Sequence, residues 1–326
     1  MTANLPEQPK TANTGWPAWT APLAALLKRD CPLAPLTTLK IGGPAEWYFA
    51  AETSDHLVLA LRTAREANIP VTLLGDGSNV LISDRGIKGL VVHNRARRIE
   101  PRGDRLFSES GALLSDLVDC SRHESLTGLE FASGIYGTVG GAVFGNAGAY
   151  GKSIGDILQE AEVLTADNRR QTVLPAGFEF TYRQSACTRK RWVVLTAEVA
   201  LRTGDQAAIG SEIDRIIAIR ATKLPADLPS AGSYFKNIED PKAEHGKIPA
   251  GQLLEAVDAK SMRVGGAGVY ERHANVIVNL GGATAADILG LARMMAKAVH
   301  ERFGIQLQSE VRFLGEPLDL QSVRGA

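Results

Sequence analysis

The eighteen residues from Gly134 to Gly151, GIYGTVGGAVFGNAGAYG, constrain the fold more than any other part of the sequence. They include seven glycines and no charged side chain. Because glycine lacks a Cβ and readily adopts a positive φ, such a segment can bring its main chain very close to another group. Successive backbone N–H groups in it can also converge on an anion. The stretch is therefore either a ligand-binding loop or a tight structural crossover.

A second, shorter glycine cluster, GDGSN at 75–79, follows the apolar run PVTLL. Two clusters of this kind, each after an apolar β-like segment, favour one shared ligand, and a pyrophosphate suits them. Neither cluster matches the common nucleotide motifs. Val80 stands where the dinucleotide fingerprint has its third glycine, and Asn146 stands where a P-loop ending in NAGAYGKS needs its first. A Rossmann fold and a P-loop NTPase are both disfavoured.

Composition excludes several classes of function. Basic and acidic residues balance at 36 each, so the chain lacks the basic excess that non-specific nucleic-acid binding requires. Three widely spaced cysteines suggest neither a disulfide framework nor a metal site, and the histidines show no metal-ligand spacing. The N-terminus has no signal-like apolar run, and no run long enough to span a membrane follows it. These features predict a cytoplasmic protein without a bound metal.

Periodicity predicts a mixed α and β chain. Residues 45–51, 70–74, 80–83, 90–94, 191–201, 266–270, 275–281 and 308–315 are expected to be strands, and 161–174 a hairpin. RGDR at 102–105 is a second hairpin turn. The expected helices are 21–30, 54–68 with Ser54 as N-cap, 111–124, 206–223, 251–259 and 284–304. In the helix at 206–223, one apolar face is expected from Ile213, Ile216, Ile217 and Ala221.

A chain of 326 residues is long enough for two or three packed units. We expect a loose N-terminal lead over 1–30, a first large unit over 31–204 and a C-terminal unit over 205–326. The boundary between the first and the C-terminal unit is expected near residues 204–225.

Seven segments together resemble one family. In order along residues 36–315 they are TLKIGGPAEW, LLGDGSNVLISD, GLEFASGIYGTVGGAVFGNAGAYG, TYRQSA, RATKLP, PSAGSYFKN and SEVRFLG. This order and spacing resemble the UDP-N-acetylenolpyruvoylglucosamine reductase (MurB) family of bacterial peptidoglycan precursor synthesis. The resemblance implies an α+β fold: a PCMH-type FAD-binding domain of two α+β subdomains, followed by a C-terminal α+β substrate-binding domain.

The resemblance also implies a cofactor site with the two glycine clusters as its walls. Backbone N–H groups of Gly75, Gly77, Ser78 and Asn79 would bind the pyrophosphate of FAD. The second wall would consist of Gly134, Gly137, Gly140 and Gly141, with Ala142, Asn146 and Gly148 near the flavin. For Asn146 alone, a turn-forming amide is the alternative.

Catalytic residues are implied at three positions. Arg183 would stabilise the enolate formed when the enolpyruvyl ether accepts hydride, since a guanidinium stays charged and binds planar oxygen pairs. Ser233 would supply a proton, and Glu310 would orient the substrate carboxyl group with Arg183. Without the family, Arg183 would be a surface cation, Ser233 a turn hydroxyl and Glu310 a solvent-facing partner of Arg312.

The implied substrate is a UDP-sugar held by Tyr182, Lys223 and Asn237, with Lys236 and Arg220 as weaker candidates. The implied hydride donor is NADPH, which reduces FAD and leaves before the substrate enters, and a monomer is favoured. The chain departs from the family pattern at Tyr136 and Ile238, where proline is usual. It also lacks room for the inserted loop that carries a substrate-contacting tyrosine in one branch, so it resembles the loop-lacking type.

Two other functions remain open from the residues. One is an oxidase of an alcohol or sugar on the same flavin fold, which predicts no Ser233 and Glu310 pair in a C-terminal unit. The other is a non-catalytic nucleotide-binding protein, which predicts bound ligand without turnover.

Overall fold

A computed structural model of the chain describes residues 16–243 and 246–316. The strands are β1 (Leu27–Pro32), β2 (Pro44–Ala51), β3 (Val71–Leu74), β4 (Val80–Ile82), β5 (Ile87–Asn94), β6 (Ile99–Arg102), β7 (Arg105–Glu109), β8 (Leu126–Thr127), β9 (Gly148–Ala149), β10 (Lys152–Ser153), β11 (Leu158–Leu164), β12 (Arg170–Val173), β13 (Val193–Ala200), β14 (Arg202–Thr203), β15 (Ser230–Ser233), β16 (Ile238–Glu239), β17 (Lys247–Ile248), β18 (Arg263–Val264), β19 (Ala267–Val269), β20 (Val276–Asn279) and β21 (Arg312–Leu314).

The α-helices are α1 (Ser54–Glu66), α2 (Leu114–His123), α3 (Val139–Gly145), α4 (Pro175–Phe178), α5 (Cys187–Lys190), α6 (Gln206–Ala221), α7 (Ala250–Ala256) and α8 (Ala285–Phe303). Short 3-10 turns cover Ala18–Leu23, Ala34–Leu36, Glu130–Ala132, Ile154–Asp156 and Ala259–Ser261. The α+β fold class is confirmed.

The first sheet has the strand order β1-β2-β5-β3, with β2, β5 and β3 parallel and β1 antiparallel at the edge. Helix α1 buries its apolar face in a core shared with this sheet. Its N-cap is Thr53, whose hydroxyl accepts from the N–H of His56, so the prediction of Ser54 as the cap was wrong by one residue. The Ser54 hydroxyl instead donates to the buried carboxylate of Glu109.

The N-terminal segment differs from its prediction. The helix expected over 21–30 is wrong beyond its first turn, because residues 27–32 form β1 and pair with β2. Trp16 and Trp19 each pack edge-on against Trp47 of the sheet, at 5.2 and 5.6 Å between ring centroids. Residues 16–30 are therefore part of the folded structure rather than of a loose lead. The remainder of that expected lead, residues 1–15, lies outside the described residues.

The second sheet is antiparallel, with the strand order β12-β11-β13-β7-β6. Both predicted hairpins occur here, as β6 with β7 and β11 with β12. Helices α2, α3 and α6 pack on the core of this sheet.

The buried face of α6 consists of Ile209, Gly210, Ile213 and Ile216. Ile217 is 48% exposed and Ala221 is also exposed, so the predicted apolar face was partly wrong. Because α6 packs on the second sheet, the packing favours a unit boundary after this helix rather than at residues 204–205.

The third sheet, β15-β20-β19-β18, carries α7 and α8 and forms the C-terminal unit. Leu39, Ile41 and Leu81 of the first unit complete its core. The Asp84 carboxylate also accepts from the N–H of Ala285 at the start of α8. Finally β21 returns to pair in parallel with β4, directly after the GDGSN cluster. The C-terminal strand is thereby built into the part of the fold that holds the first glycine cluster.

Candidate active site

The GDGSN cluster is a loop between β3 and β4 whose backbone N–H groups lack protein acceptors in the described part of the chain. Among the described residues, the backbone N–H groups of positions 75–79 donate to no protein acceptor. Gly77 has a φ of +65°, and a Cβ there would lie 2.1 Å from the carbonyl oxygen of Leu36. The loop therefore requires glycine at position 77, and it presents several free N–H groups of the kind that bind an anion.

The long glycine stretch contains a helix that the sequence analysis did not predict. Helix α3 is capped by Thr138, whose hydroxyl accepts from the N–H of Gly141. The Gly140 N–H donates to the carbonyl of Ser110, and a Cβ on Gly140 would lie 2.8 Å from the Ser110 Cβ. A Cβ on Gly148 would lie 2.3 Å from the Lys152 carbonyl across the β9–β10 hairpin. Tight packing therefore requires several of these glycines.

The two glycine clusters touch each other. The Ser78 hydroxyl donates to the Tyr136 carbonyl at 2.9 Å. A Cβ added to Gly75 would lie 2.8 Å from the Thr138 hydroxyl, and one added to Gly137 would lie 3.0 Å from the Ser78 hydroxyl. The N–H groups without protein acceptors among the described residues lie beside a glycine-rich segment that leaves room for a flat dinucleotide. The residues present therefore fit FAD. Gly134 lies further along the same wall and accepts a hydrogen bond from Arg220 through its carbonyl.

Asn146 ends α3 in the left-handed conformation, with a φ of +45°, and is buried. Its Nδ2 donates to the Thr181 carbonyl at 3.0 Å, and its Oδ1 accepts from the Gly155 N–H at 3.0 Å. The turn-forming alternative describes its backbone correctly. Its amide has a further effect, because it ties the glycine stretch to the segment that carries Arg183. Ala142, also buried, lies one turn earlier in the helix.

Arg183 and Glu310 form an ion pair, with 2.7 Å between the arginine Nε and the glutamate Oε1. Both side chains are largely covered, at 26% and 20% exposed. The Nε–H does not point at this oxygen, so the buried Nε has no hydrogen-bond partner among the described residues despite the short distance. The alternative partner, Arg312, stacks over the Phe144 ring instead. The pair thus holds two opposite charges in direct contact.

Ser233 lies close to this pair in the fold. It ends β15 opposite Val276, and the carbonyl of the next residue, Tyr234, accepts from the Glu310 N–H at 2.8 Å. Asn79 of the first glycine cluster donates to the Glu310 carbonyl at 3.3 Å. The three segments that carry the predicted serine, glutamate and loop asparagine therefore meet at Glu310.

A buried asparagine that sequence reasoning missed fixes the Ser233 segment. The Asn275 side chain accepts from the Phe235 N–H and donates to the Phe235 carbonyl, while its own carbonyl accepts from the Tyr234 N–H. Asn275 is 2% exposed. Its position at the start of a predicted strand gave no sign of this role, because its partners lie forty residues away.

The expected substrate residues line the same region. The Tyr182 hydroxyl accepts from the Asn237 N–H at 3.4 Å, and burial raises the pKa of this phenol. Lys247, which the sequence analysis did not single out, places its ammonium 3.4 Å from the centroid of the Tyr182 ring. Lys223 is exposed just after α6. Lys236 lies on the adjoining segment, where its N–H donates to the Gln308 carbonyl.

Two further side chains belong to the surroundings of this cleft. The pKa of His273 is lowered, chiefly by burial and then by the positive charge of Lys223. Burial also lowers the pKa of Arg220. Tyr150 and Tyr136 act in the opposite direction, and the positive charge of Arg183 lowers this pKa further.

Within residues 16–243 and 246–316, no group of three His, Cys, Asp or Glu side chains is placed to hold a metal ion. No helix in this part of the chain combines the length and apolar character needed to cross a membrane.

Comparisons with known proteins point to one family. Residues 45–173 match the family model described as FAD binding domain, and residues 224–314 match the model described as UDP-N-acetylenolpyruvoylglucosamine reductase, C-terminal domain. The chain is 41% identical to the UDP-N-acetylenolpyruvoylglucosamine reductase of Synechococcus sp. (strain JA-3-3Ab), over 90% of this chain and 93% of the relative. It is 39% identical to that of Lactobacillus delbrueckii subsp. bulgaricus, over 89% and 96%. The crystal structure of the Thermus caldophilus reductase superposes with a TM-score of 0.73 at 30% identity, covering 88% of this chain and 98% of that one.

Proposed function

This chain belongs to the UDP-N-acetylenolpyruvoylglucosamine reductase family, and from that premise we propose that it reduces UDP-N-acetylglucosamine enolpyruvate to UDP-N-acetylmuramate for peptidoglycan synthesis, with NADPH as the hydride donor. It is an FAD-binding oxidoreductase. The observation that carries the finer proposal is the Arg183 and Glu310 pair, held by its backbone against the first glycine cluster.

FAD is held, in this proposal, between the two glycine clusters. The free N–H groups of Gly75, Gly77, Ser78 and Asn79 bind its pyrophosphate, and the second cluster from Gly134 to Gly148 provides the wall along its ring. Bound FAD supplies hydride transfer from NADPH to the terminal carbon of the enolpyruvyl group. The chain's contribution is to exclude water from this contact and to stabilise the charge that appears on the substrate.

Arg183 binds the carboxylate end of the enolpyruvyl group. Negative charge builds on that carboxylate as the double bond is reduced, and a fixed guanidinium stabilises it more strongly in a water-poor cleft than in solution. The largely covered position of the guanidinium supports this role, because partial burial beside the Glu310 carboxylate limits its access to water. Glu310 keeps the guanidinium in place and prevents it from folding toward solvent.

Ser233 donates the proton that completes the reduction, from its Oγ to the carbon next to the carboxylate. A serine hydroxyl is a weak acid, so this role depends on position and on nearby groups that stabilise the alkoxide. Its neighbour Tyr234 is locked by two backbone hydrogen bonds, to Asn275 and from Glu310. That rigidity supports Ser233 as a positioned donor rather than a mobile surface hydroxyl.

The UDP portion of the substrate lies along Tyr182, Asn237 and Lys223. The Lys223 ammonium is exposed and free to neutralise a phosphate, while the Tyr182 ring and the Asn237 amide are half-buried and give the cleft its shape. Arg220 and Lys236 are placed to add positive charge at its edge.

A three-part measurement tests the proposal. The purified protein is expected to contain flavin, to reduce that flavin with NADPH, and to consume NADPH catalytically only when the enolpyruvyl UDP-sugar is added, with UDP-N-acetylmuramate identified by mass. Oxygen-dependent peroxide formation from an alcohol or sugar would favour an oxidase instead. Bound flavin without any substrate-dependent turnover would favour a binding protein. Either result would refute the proposed reaction.

A further inference from the structure

Lys247 and Tyr182 make the closest contact between a cation and an aromatic ring in the described part of the chain. The Lys247 Nζ lies 3.4 Å from the ring centroid, whereas the Arg183 Cζ lies 5.3 Å from the same centroid. The Lys247 side chain is only partly exposed. A cation desolvated over an aromatic face is attracted by the negative charge of that face, and the attraction grows as water is removed.

The ring belongs to a tight turn that also contains Arg183. Backbone hydrogen bonds run both ways between Thr181 and Gln184, from each N–H to the other carbonyl, so Tyr182 and Arg183 are the two residues at its tip. Arg183 has a φ of +56°. A residue with a Cβ avoids this left-handed region, so the turn keeps its shape only if its surroundings hold it.

Three contacts described above hold parts of this turn. Asn146 donates to the Thr181 carbonyl, Glu310 pairs with the Arg183 guanidinium, and the Asn237 N–H donates to the Tyr182 hydroxyl. Within residues 16–243 and 246–316, Lys247 is the only charged side chain other than Arg183 that lies over the face of the Tyr182 ring.

Lys247 and Asn237 belong to one small structural unit. Strands β16 and β17 pair through Ile238 with Ile248 and through Glu239 with Lys247, and the Asn237 Oδ1 accepts from the Ala250 N–H just after β17. This hairpin, defined by β16 and β17 with Asn237 directly before them, therefore contacts Tyr182 at two points, at its hydroxyl and at its ring. A shift of the hairpin would move the ring and, with it, the residue next to it in the turn.

We propose that Lys247 is a positioning residue for Arg183. Its ammonium fixes the Tyr182 ring, the ring fixes the strained turn, and the turn aims the Arg183 guanidinium into the cleft. The hairpin of the C-terminal unit thus determines whether the arginine of the preceding unit is in its working orientation. This inference rests on the proposed function for its kinetic consequences, but the contact itself does not depend on any reaction.

The first test observes the contact without turnover. Lysine side chains of the FAD-loaded protein are reductively methylated with ¹³C, and the Lys247 signal is assigned by its loss in Lys247→Arg. A methylammonium over an aromatic face is expected to resonate upfield of the other lysines, and Tyr182→Leu is expected to return it to their range. An unshifted Lys247 signal in the wild type would overturn the proposal.

The second test separates positioning from general stability. Lys247→Met, which keeps the length and removes the charge, is expected to lower kcat for substrate reduction about tenfold, as loss of a desolvated cation–ring contact allows, while NADPH-driven flavin reduction stays unchanged. Lys247→Arg should restore most of the rate. Lys242→Met, in the same hairpin but exposed, is the matched control and should behave as wild type.

A double-mutant cycle completes the argument. If Lys247 acts through the ring, then Tyr182→Leu with Lys247→Met should be no slower than Tyr182→Leu alone. Fully additive losses, or an equal loss in Lys242→Met, would contradict the proposal. Failure of the wild type to turn over the UDP-sugar would refute the proposed reaction, and the NMR measurement would still decide the contact.

Discussion

The Glu310 carboxylate lies 2.7 Å from the Nε of Arg183, although more than a hundred residues separate the two in the sequence. The glutamate is brought there by β21, which pairs with β4, and the arginine by a turn tied to the glycine stretch. The pair therefore forms only when the C-terminal strand is docked on the first unit.

Arg183→Lys is expected to lower kcat for substrate reduction by about 10²-fold, in the range found for loss of one charge-stabilising donor. A lysine keeps the charge but loses the planar, bidentate geometry. Stopped-flow reduction of the flavin by NADPH should be unaffected, and steady-state NADPH consumption with the UDP-sugar measures the loss. Arg189→Lys, an exposed arginine nearby in the chain, is the control. Equal rates in both variants would move the charge-stabilising role to another residue.

Ser233→Ala is expected to retain flavin and its reduction by NADPH but to lose turnover by about 10²-fold or more, the usual scale for a missing general acid. Single-turnover reoxidation of reduced enzyme by the UDP-sugar isolates the affected step. Ser230→Ala, in the same strand, should reoxidise at the wild-type rate. A Ser233→Ala enzyme that reoxidises normally would remove this hydroxyl from the reaction.

Gly77→Ala is expected to yield protein with little or no flavin. Position 77 combines a φ of +65° with only 2.1 Å to the Leu36 carbonyl, so a methyl group must distort the loop that presents the N–H groups. Gly103→Ala is the matched control, because Gly103 has a φ of +66° but open space around it, and it should cost only about 1–2 kcal/mol of backbone strain. The ratio of flavin to protein absorbance compares the two, and equal flavin content would contradict the assignment of this loop.

Asn146→Ala is expected to lower the free energy of unfolding by about 2–4 kcal/mol, since it leaves the part-buried Gly155 N–H and Thr181 carbonyl without their partner and also places alanine at a positive φ. Asn68→Ala shares the left-handed backbone, with a φ of +56°, but its side chain is exposed. It should lose only the backbone part, about 1 kcal/mol. Urea unfolding measures both, and equal losses would show that the Asn146 amide contributes nothing beyond its conformation.

His93 predicts a pH dependence of stability. Burial, followed by the charges of Arg95 and Arg97, lowers its pKa from 6.5 to about 4. The Tyr48 hydroxyl lies 2.7 Å from its Nδ1, a hydrogen bond that the neutral ring is able to accept. Between about pH 6.5 and pH 4 the unfolded chain binds a proton at His93 that the folded chain does not bind. The contribution of the neutral ring to the free energy of unfolding is therefore fully present above pH 6.5 and decreases as the pH drops toward 4. Urea unfolding of the wild type and of His93→Gln across this range should show a smaller pH dependence in the variant, and identical slopes would contradict the prediction.

Hydrophobic periodicity and glycine content were enough to predict most of the local structure. The runs at 45–51, 161–174 and 284–304 became β2, the β11–β12 hairpin and α8, because alternating or helically spaced apolar residues leave little choice of which face to bury. The motif order also identified the family and its cofactor. The roles of individual site residues stay predictions.

Other features depended on contacts that sequence spacing does not encode. The strand at 27–32 was mistaken for helix because its partner, β2, determines its conformation. Helix α3 forms inside a glycine stretch because Thr138 caps it and Ser110 holds its first turn, although glycine itself disfavours helix. Local propensity was overridden by packing in both places.

The sequence by itself determined which backbone could approach a ligand and which charged and hydroxyl groups were available, since these are properties of single residues and short motifs. Only the tertiary structure decided that Arg183 faces Glu310, that Asn146 and Asn275 brace the segments around them, and that Lys247 covers the Tyr182 ring. Those relationships join residues far apart in the chain, and a long-range contact is fixed by how whole sheets and helices pack rather than by any local pattern.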